Sequence, residues 1–282
     1  MNTLTITPYT QIPNVIQSRL DDFLTLCFST KLPSLLLDDS CGIHVLLYNE
    51  HSIVGYLFTE SFDREEIEFV GAIHPEHRNK GYFKYLLSFS YRYLKKYLPL
   101  KKSCYYSCYL SGEERNSIEI IRHFGGKTIS TEFILTCTKE NTTQPLEISL
   151  QPTTNIALLS HIHSQIFSQT KEESYTQLCE SMDGTFFYLM FQQQVVGMVH
   201  ISSSHSLHYL SFFGILPKYQ RLGFGTSALD MIFSQYETID LQVSSLNKKA
   251  YSFYRNYGFS IKSSYDYIIL QKKVLEKLPC HC

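Results

Sequence analysis

The chain has 282 residues, with 26 acidic and 25 basic side chains and a formal net charge of −1 at pH 7. Hydrophobic residues make up 44% of the sequence and charged residues 18%, a balance that excludes an intrinsically disordered chain. The near-zero net charge argues against a general binder of nucleic acids or of membrane surfaces. The length is sufficient for two domains of ordinary size.

Neither a secretion signal nor a membrane span is predicted. Residues 1–20 mix polar with isolated apolar residues, and no run approaches the roughly 20 apolar residues of a membrane helix. We therefore expect a cytoplasmic protein whose eight cysteines are reduced. The clusters Cys104 with Cys108 and Cys280-His281-Cys282 lack a second pair at zinc-site spacing, so no bound metal is expected.

One layout of elements occurs twice along the chain. Gly42, Gly55, Pro75 and Gly81 recur 142 residues later (184 − 42, 197 − 55, 217 − 75, 223 − 81) as Gly184, Gly197, Pro217 and Gly223. Coincident offsets with shared apolar patterning indicate two copies of one domain. The polar stretch 139–145 is the expected boundary. It gives an N-terminal domain over residues 1–140 and a C-terminal domain over residues 145–282.

The second copy is predicted to begin with a strand near 147–151 and two helices. A meander of three strands follows, and then a helix, a strand, a helix and a last strand. This order indicates the α+β class with a mixed central sheet. The predicted ranges after the first strand are 155–168, 171–181, 186–191, 195–203, 207–216, 223–236, 238–243, 248–256 and 260–271.

The connection after the third meander strand carries the strongest chemical signal. The strand contains Phe213, Gly214 and Ile215, and a loop with two glycines leads from it into a helix. Glycines let the backbone approach an anion closely, and the first N–H groups of a helix have no internal partner. The segment is therefore predicted to bind phosphate. It consists of Gln220, Arg221, Leu222, Gly223, Phe224, Gly225 and Thr226.

A second candidate element is the helix predicted over 248–256. Asn247 precedes it as a good N-cap residue, and Gly258 follows as a terminator. Tyr254 lies about two turns after Asn247 on the same face of the helix. Tyr251 shares that face and is the alternative tyrosine.

The spacing Gln-x-x-Gly-x-Gly, followed by Asn-x6-Tyr-x3-Gly-Phe, matches the residues from Gln220 to Phe259 and resembles the GNAT acyltransferases. The resemblance implies two tandem GNAT folds with αβα layers, each with a mixed central sheet that is splayed at the cofactor site. It implies acetyl-CoA as a co-substrate. The strand Phe213–Ile215 would then pair with the pantetheine arm, and the loop from Gln220 to Thr226 would hold the pyrophosphate. The family pattern includes Asn247 and favours Tyr254 over Tyr251.

The resemblance also implies the reaction. An acetyl group passes directly to a primary amine of a small molecule, peptide or protein in a ternary complex. Tyr254 is then the proton donor to sulfur, because a phenol and a thiol have similar pKa values. Some subfamilies have a glutamate that acts as the general base where this chain has Gln242, and a glutamine cannot accept the proton. His208, on the strand before the loop, is the residue that we expect to act as base.

The first copy departs from this pattern. Arg78 and Gly81 fit the loop, but Phe83 replaces its second small residue and Ile121 stands opposite Tyr254. We interpret this copy as degenerate, a structural partner or a wall of the substrate site, and leave open whether it holds CoA. Glu66 and Glu68 lie on its strand where family members often hold a base.

Two other functions stay open on the sequence alone. The missing carboxylate favours an acyl-CoA sensor or scaffold that binds without turnover. Aminoacyl transfer from tRNA by a duplicated GNAT fold is a remote alternative, because such enzymes generally lack an intact pyrophosphate loop and this chain has no basic bias. No nucleic-acid or membrane partner is expected, and the sequence does not indicate an oligomeric state.

Overall fold

A computed structural model describes residues 4–28, 42–61, 64–112, 114–139, 146–181, 183–204 and 207–278. The chain forms two compact units, which we name unit 1 (Met1–Ser130 with Tyr265–Cys282) and unit 2 (Thr131–Ser264). The cluster Cys280-His281-Cys282 lies outside the described residues.

Twelve strands and eight α-helices are present in the described part of the chain. In chain order they are β1 (Leu4–Tyr9), α1 (Asn14–Cys27), β2 (Ile43–Asn49), β3 (Ser52–Ser61), β4 (Glu66–Ile73), α2 (Tyr82–Tyr97), β5 (Tyr105–Ser111), α3 (Arg115–His123), β6 (Lys127–Thr138), β7 (Ser149–Thr153), α4 (Ile156–Phe167), α5 (Lys171–Glu180), β8 (Thr185–Phe191), β9 (Gln194–Ser204), β10 (Leu207–Ile215), α6 (Phe224–Phe233), β11 (Thr238–Ser244), α7 (Lys248–Tyr257), β12 (Ser260–Gln271) and α8 (Lys272–Leu275).

The two units have the same strand order. The sheet of unit 1 runs β1-β2-β3-β4-β5 and then residues 265–271 of β12. The sheet of unit 2 runs β7-β8-β9-β10-β11 and then residues 132–138 of β6. Among the described residues, each sheet has one parallel pair of strands. This pair is β4 with β5 in unit 1 and β10 with β11 in unit 2. Each sheet is therefore mixed, as the sequence predicts.

Each sheet includes a strand from the other copy of the repeat. Leu135 and Cys137 of β6 are buried in a core of unit 2, and Ile268 and Leu270 of β12 are buried in a core of unit 1. The predicted domains, 1–140 and 145–282, therefore differ from the two units, because most of β6 belongs to unit 2 and the end of β12 belongs to unit 1. Apolar alternation marks a strand but does not say which sheet buries its face.

Helices cover both faces of the sheet in unit 2. α6 and α7 pack on one face, where Leu210 and Leu241 are buried with Phe259. α4 and α5 pack on the opposite face against β8 and β9, where Phe186 and Met198 are buried. Side chains alternate between the faces along each strand. Residues next to Leu241 on β11 therefore point to the α4/α5 face.

Cys104 and Cys108 are core residues of unit 1. Burial raises the pKa of both thiols, that of Cys108 to about 12, so neither is poised to ionise. No helix of the described residues is both long and apolar enough to cross a membrane.

Candidate functional site

Strand β10 is bulged in its middle. Phe212 and Phe213 together face a single residue of β9, because the pairing register shifts between Ser211 and Gly214. Phe212 has a φ of 48°, a left-handed conformation that is unusual for a bulky side chain. The ring of Phe212 packs on the α4/α5 face, and the ring of Phe213 packs on the α6/α7 face.

β10 and β11 separate beside the bulge. Their parallel pairing ends with Leu210 opposite Leu241, although β10 continues to Ile215 and β11 continues to Ser244. Beyond that pair the facing backbones are not joined to each other. An extended amide chain can add to such an edge as a further strand.

Close packing fixes the position of this strand edge. A Cβ atom added at Gly214 would overlap Cγ2 of Ile166 on α4, and one added at Gly197 of β9 would overlap the carbonyl oxygen of Gly214. The bulge therefore depends on glycine at both positions. Ile215, at the end of the strand, is buried.

A side-chain hydrogen bond joins the loop after β10 to the end of that strand. Gln220 Nε2 donates a hydrogen bond to the carbonyl oxygen of Ile215 at 2.9 Å, so this side chain shapes the loop. Arg221 and Gly223 have φ values of 64° and 87°, and these two left-handed residues turn the chain into α6. Leu222 between them is 61% exposed.

The first turn of α6 has amides without helical partners. Its first internal bond runs from the N–H of Ser227 to the carbonyl oxygen of Gly223, and no side chain caps the helix. The N–H groups of Phe224, Gly225 and Thr226 therefore have no partner within the helix. With the positive end of the helix dipole, they suit a phosphate group.

Tyr254 lies on α7 within the aromatic cluster beside the bulge. Its ring centroid is 6.4 Å from that of Phe213 and 5.4 Å from those of Phe253 and Phe259. A Cβ atom at Gly225 would lie 3.2 Å from the ring of Phe253. The strand edge, the start of α6 and Tyr254 thus meet around one aromatic group. Burial raises the pKa of Tyr254, so its phenol keeps its proton at neutral pH and can donate a hydrogen bond.

The ends of α7 are set by the two residues that the sequence predicts. The side chain of Asn247 accepts a hydrogen bond from the N–H of Ala250 at 3.1 Å, and Gly258 with a φ of 126° ends the helix. Contact of Asn247 with a cofactor stays a prediction. The alternative tyrosine, Tyr251, packs on Phe133 with ring centroids 4.9 Å apart.

The structure does not bring His208 to the aromatic cluster. His208 Nδ1 lies 2.8 Å from Ser203 Oγ, and its ring packs against Tyr236. Five residues of strand, about 16 Å, separate His208 from Phe213. The expected role of His208 as a base therefore has no geometric support.

A carboxylate lies beside Gln242, on the neighbouring strand β6. Gln242 is exposed on β11, just beyond the last pair with β10, and its Nε2 donates to Oε2 of Glu132 at 3.4 Å. Glu132 is a residue of β6 opposite Ser244. Both side chains point away from the core residues Leu241 and Val243. Sequence reasoning missed Glu132, because it precedes the predicted second domain.

Two buried histidines flank the bulge on the α4/α5 face, and sequence reasoning missed them as well. His200 Nδ1 is 2.8 Å from Ser211 Oγ, and His163 Nδ1 is 3.0 Å from Ser174 Oγ. The ring of Phe212 lies 6.2 Å from that of His200 and 5.3 Å from that of His163. Burial lowers the pKa of both histidines. The only sequence signal is a histidine within an otherwise apolar strand or helix.

Unit 1 keeps the loop but lacks the bulge. β3 and β4 pair in unbroken register along their length. Arg78 Nε donates to the carbonyl oxygen of Ile73 at 3.2 Å, as Gln220 does in unit 2. Asn79 and Gly81 are left-handed, with φ values of 62° and 79°.

In unit 1 the aromatic ring between strand and helix comes from α2. A Cβ atom at Gly71 of β4 would lie 2.8 Å from the ring of Phe83, which also packs against Phe69 and Phe124. Ile121, the counterpart of Tyr254, is buried and carries no proton to donate. Unit 1 therefore has the loop without the bulge or the phenol.

Unit 1 has two carboxylates on β4, and phenols engage one of them. Glu66 accepts hydrogen bonds from the phenols of Tyr267 and Tyr105 at 2.8 and 3.2 Å. Burial, followed by the charges of Glu66 and Glu60, raises the pKa of Glu68.

Comparison with known proteins agrees with the geometry of unit 2. Residues 155–259 match the acetyltransferase (GNAT) family. This segment is a GNAT acetyltransferase domain. No curated protein matches the sequence.

Solved structures extend the likeness to most of the chain. A GCN5-related N-acetyltransferase from Sphaerobacter thermophilus is 12% identical with a TM-score of 0.69, over 94% of this chain and 95% of that one. A tandem GNAT protein from the clavulanic acid biosynthesis pathway, without AcCoA, is 10% identical with a TM-score of 0.65, over 95% and 98%. A glucosamine N-acetyltransferase region of a fungal GH3 β-N-acetylglucosaminidase is 11% identical with a TM-score of 0.68, over 96% and 38%.

At these identities the structural matches show the fold. They confirm the α+β GNAT architecture predicted from the sequence, and the GNAT fold supports acyl transfer as the general chemistry. In the described ranges, no group of three or more His, Cys, Asp or Glu side chains is arranged to hold a metal ion.

Proposed function

We propose that unit 2 is an N-acetyltransferase that moves an acetyl group from acetyl-CoA to a primary amine of a small molecule, peptide or protein. One observation carries the proposal. The open edge of β10, the uncapped start of α6 and the buried phenol of Tyr254 meet around Phe253. A thioester with a phosphate-bearing tail needs these three features together.

The chain offers a separate group for each part of acetyl-CoA. The backbone of Phe213, Gly214 and Ile215 pairs with the amides of the pantetheine arm, since this edge is not joined to β11. The amides of the first turn of α6 hold the pyrophosphate. Arg221, exposed on the same loop, adds positive charge.

The reaction follows from this arrangement. The amine nitrogen forms a bond to the thioester carbon, and backbone N–H groups of the β10 edge stabilise the oxyanion. The carbon–sulfur bond then breaks, and Tyr254 protonates the departing thiolate. The amine attacks in its neutral form, and the one proton that its nitrogen then loses returns the phenol to its neutral form. No covalent bond to the protein is needed.

Unit 1 has a structural role in this proposal. Its β4 is unbroken, Phe83 of α2 packs over Gly71, and Ile121 replaces the phenol. We assign the transfer to unit 2 alone and expect one acetyl-CoA for each chain. A cytoplasmic location and the absence of nucleic-acid or membrane partners stay expectations.

Turnover of acetyl-CoA against a panel of primary amines tests the proposal. The wild type should release free CoA in step with acetylated amine. Tyr254→Phe should lower kcat by about 100-fold, the lower range for a proton donor, with the Kd for acetyl-CoA within twofold. Tyr251→Phe, on the same helix face, is the matched control and should keep wild-type kcat.

The acyl-CoA sensor is the second candidate, and the geometry of His208 favours it, because that residue supplies no base at the bulge. Binding of acetyl-CoA by the wild type and by Tyr254→Phe, with no turnover of any amine by either, would select the sensor.

A further inference from the structure

Unit 1 contains an open cavity that the proposed transfer in unit 2 does not use. Its volume is about 580 Å³, within the range of small-molecule binding sites. It lies where β5 begins and β12 ends, because Tyr105 pairs with Gln271 at this edge of the sheet. The residues that line it include Lys102, Ser103, Tyr105, Ile269, Lys272 and Lys273.

The cavity is at the opposite edge of the sheet from the loop of unit 1. Glu66, the first residue of β4, pairs with Tyr105 in parallel register, so both strands begin beside the cavity. The loop follows Ile73, seven residues of strand and about 23 Å further along β4. The cavity is therefore separate from the phosphate-type loop that the two units share.

The chain brings three lysines to this cavity from two directions. The N–H of Cys104 donates to the carbonyl oxygen of Lys101 at 3.2 Å, which closes a β-turn that presents Lys102 before β5. Lys272 and Lys273 begin α8 directly after β12. We name Lys102, Lys272 and Lys273 the cavity lysines.

The carboxylates around the cavity are bound to other lysines. Glu276 lines the cavity, and its Oε1 accepts hydrogen bonds from Lys95 at 3.3 Å and from the phenol of Tyr91 at 3.1 Å. Glu65 forms an ion pair with Lys101 at 3.0 Å. The cavity lysines form no ion pair with any of the described residues. Their positive charge is therefore not balanced by the side chains that the structure describes.

The cavity combines this charge with apolar surface. Three ammonium groups around one cavity repel one another, and a bound anion removes that repulsion. A phosphate offers several anionic oxygens to several lysines at once. Ile269 and the ring of Tyr105 also line the cavity, and the phenol of Tyr105 donates to Glu66 at 3.2 Å. Apolar surface of this kind suits the carbon part of a ligand.

We propose that this cavity of unit 1 binds a small organic phosphate. The cavity lysines hold the phosphate group, and Ile269 and Tyr105 contact the carbon part of the ligand. The binding is reversible and involves no chemical step. It gives unit 1 a ligand of its own, at a site that does not depend on acetyl transfer by unit 2.

Titration of phenyl phosphate into the full-length protein at low ionic strength tests the proposal. Phenyl phosphate should bind about tenfold more tightly than inorganic phosphate, because the ring buries apolar surface. Phenol, which has the ring without the charge, should show no saturable binding. Saturating acetyl-CoA should leave the Kd for phenyl phosphate within twofold, because the two ligands use different sites.

Variants of the lining residues locate the bound phosphate. Lys102→Gln combined with Lys273→Gln should weaken the binding of phenyl phosphate about tenfold. Both side chains are exposed, so the Tm should match that of wild type. Lys127→Gln, at an exposed lysine of unit 1 that does not line the cavity, is the matched control and should keep the wild-type Kd. Ile269→Thr should weaken binding of phenyl phosphate and leave that of inorganic phosphate within twofold.

Four outcomes would overturn the proposal. The first is that phenyl phosphate does not bind to the wild type. An unchanged Kd in the double lysine variant would place the bound phosphate elsewhere. Equal affinity for phenyl and inorganic phosphate, with no effect of Ile269→Thr, would indicate an adventitious ion only. Displacement by acetyl-CoA would assign the phosphate to the start of α6. None of these measurements requires turnover, so a failure of the proposed N-acetyltransferase function would be seen separately.

Discussion

Units 1 and 2 share a strand order, a hairpin and a loop that a side-chain hydrogen bond joins to the end of the preceding strand. They differ where a ligand would enter the sheet. In unit 1, β4 is continuous and Phe83 of α2 lies over Gly71. In unit 2, β10 is bulged, and the aromatic residue is Phe213 on the strand, with Gly225 at the helix start. The large and small residues have exchanged places across the contact between strand and helix.

This exchange separates packing from binding. Each unit fills the space between strand and helix with one phenylalanine, so the core keeps its volume. In unit 2 the ring comes from the strand, and in unit 1 it comes from the helix. The loop geometry alone therefore does not indicate a phosphate site, because both units have it.

The largest expected effect comes from a glycine to alanine change at matched positions of the two hairpins. Gly197→Ala would drive its Cβ into the carbonyl of Gly214, backbone that moves only with the bulge. The equivalent Gly55→Ala meets the ends of Leu86 and Ile73 at 2.9 and 3.0 Å, side chains that can rotate. We expect Gly197→Ala to lower the unfolding free energy by about 3 kcal/mol and to abolish transfer, and Gly55→Ala to cost about 1 kcal/mol.

Urea unfolding and the rate of amine acetylation measure these two variants side by side. The acetylation rate of Gly55→Ala should stay within about threefold of wild type. Equal losses of rate in both variants would contradict the view that the bulge, present in unit 2 alone, positions the thioester.

A smaller effect is expected from His200, whose counterpart in unit 1 by the repeat offset is Phe58. Burial lowers the pKa of His200 below its ordinary 6.5. As the pH falls below about 6.5, the unfolded chain binds a proton that the folded chain does not, so the folded state loses stability. His200→Phe removes this loss, and its Tm should depend less steeply on pH between 7 and 5 than that of wild type.

Thermal melts at several pH values test this prediction, with the exposed residue His161→Gln as the control. The control should keep the wild-type slope of Tm against pH. An unchanged slope in His200→Phe would mean that His200 is protonated in the folded protein, contrary to its burial.

The sequence predicted the fold well because its signals are local. The offsets of 142 residues, the apolar alternation and the caps at Asn247 and Gly258 depend on neighbours along the chain, and the structure confirms the elements that they indicate. The contact between Gln242 and Glu132 could not be predicted, because Glu132 comes from a strand more than 100 residues earlier. The position of His208 relative to the bulge could not be predicted either, because it depends on the pairing register of β10.

Titration of acetyl-CoA into the wild type, Gly225→Phe and Phe83→Ala tests the central claim most directly. We predict one binding site for each chain in the wild type and in Phe83→Ala. Gly225→Phe, which copies the residue of unit 1 into unit 2, should weaken binding at least 100-fold, because its Cβ alone would lie 3.2 Å from the ring of Phe253. Undiminished binding in Gly225→Phe, or no heat of binding in the wild type, would contradict the assignment of the cofactor to β10 and α6.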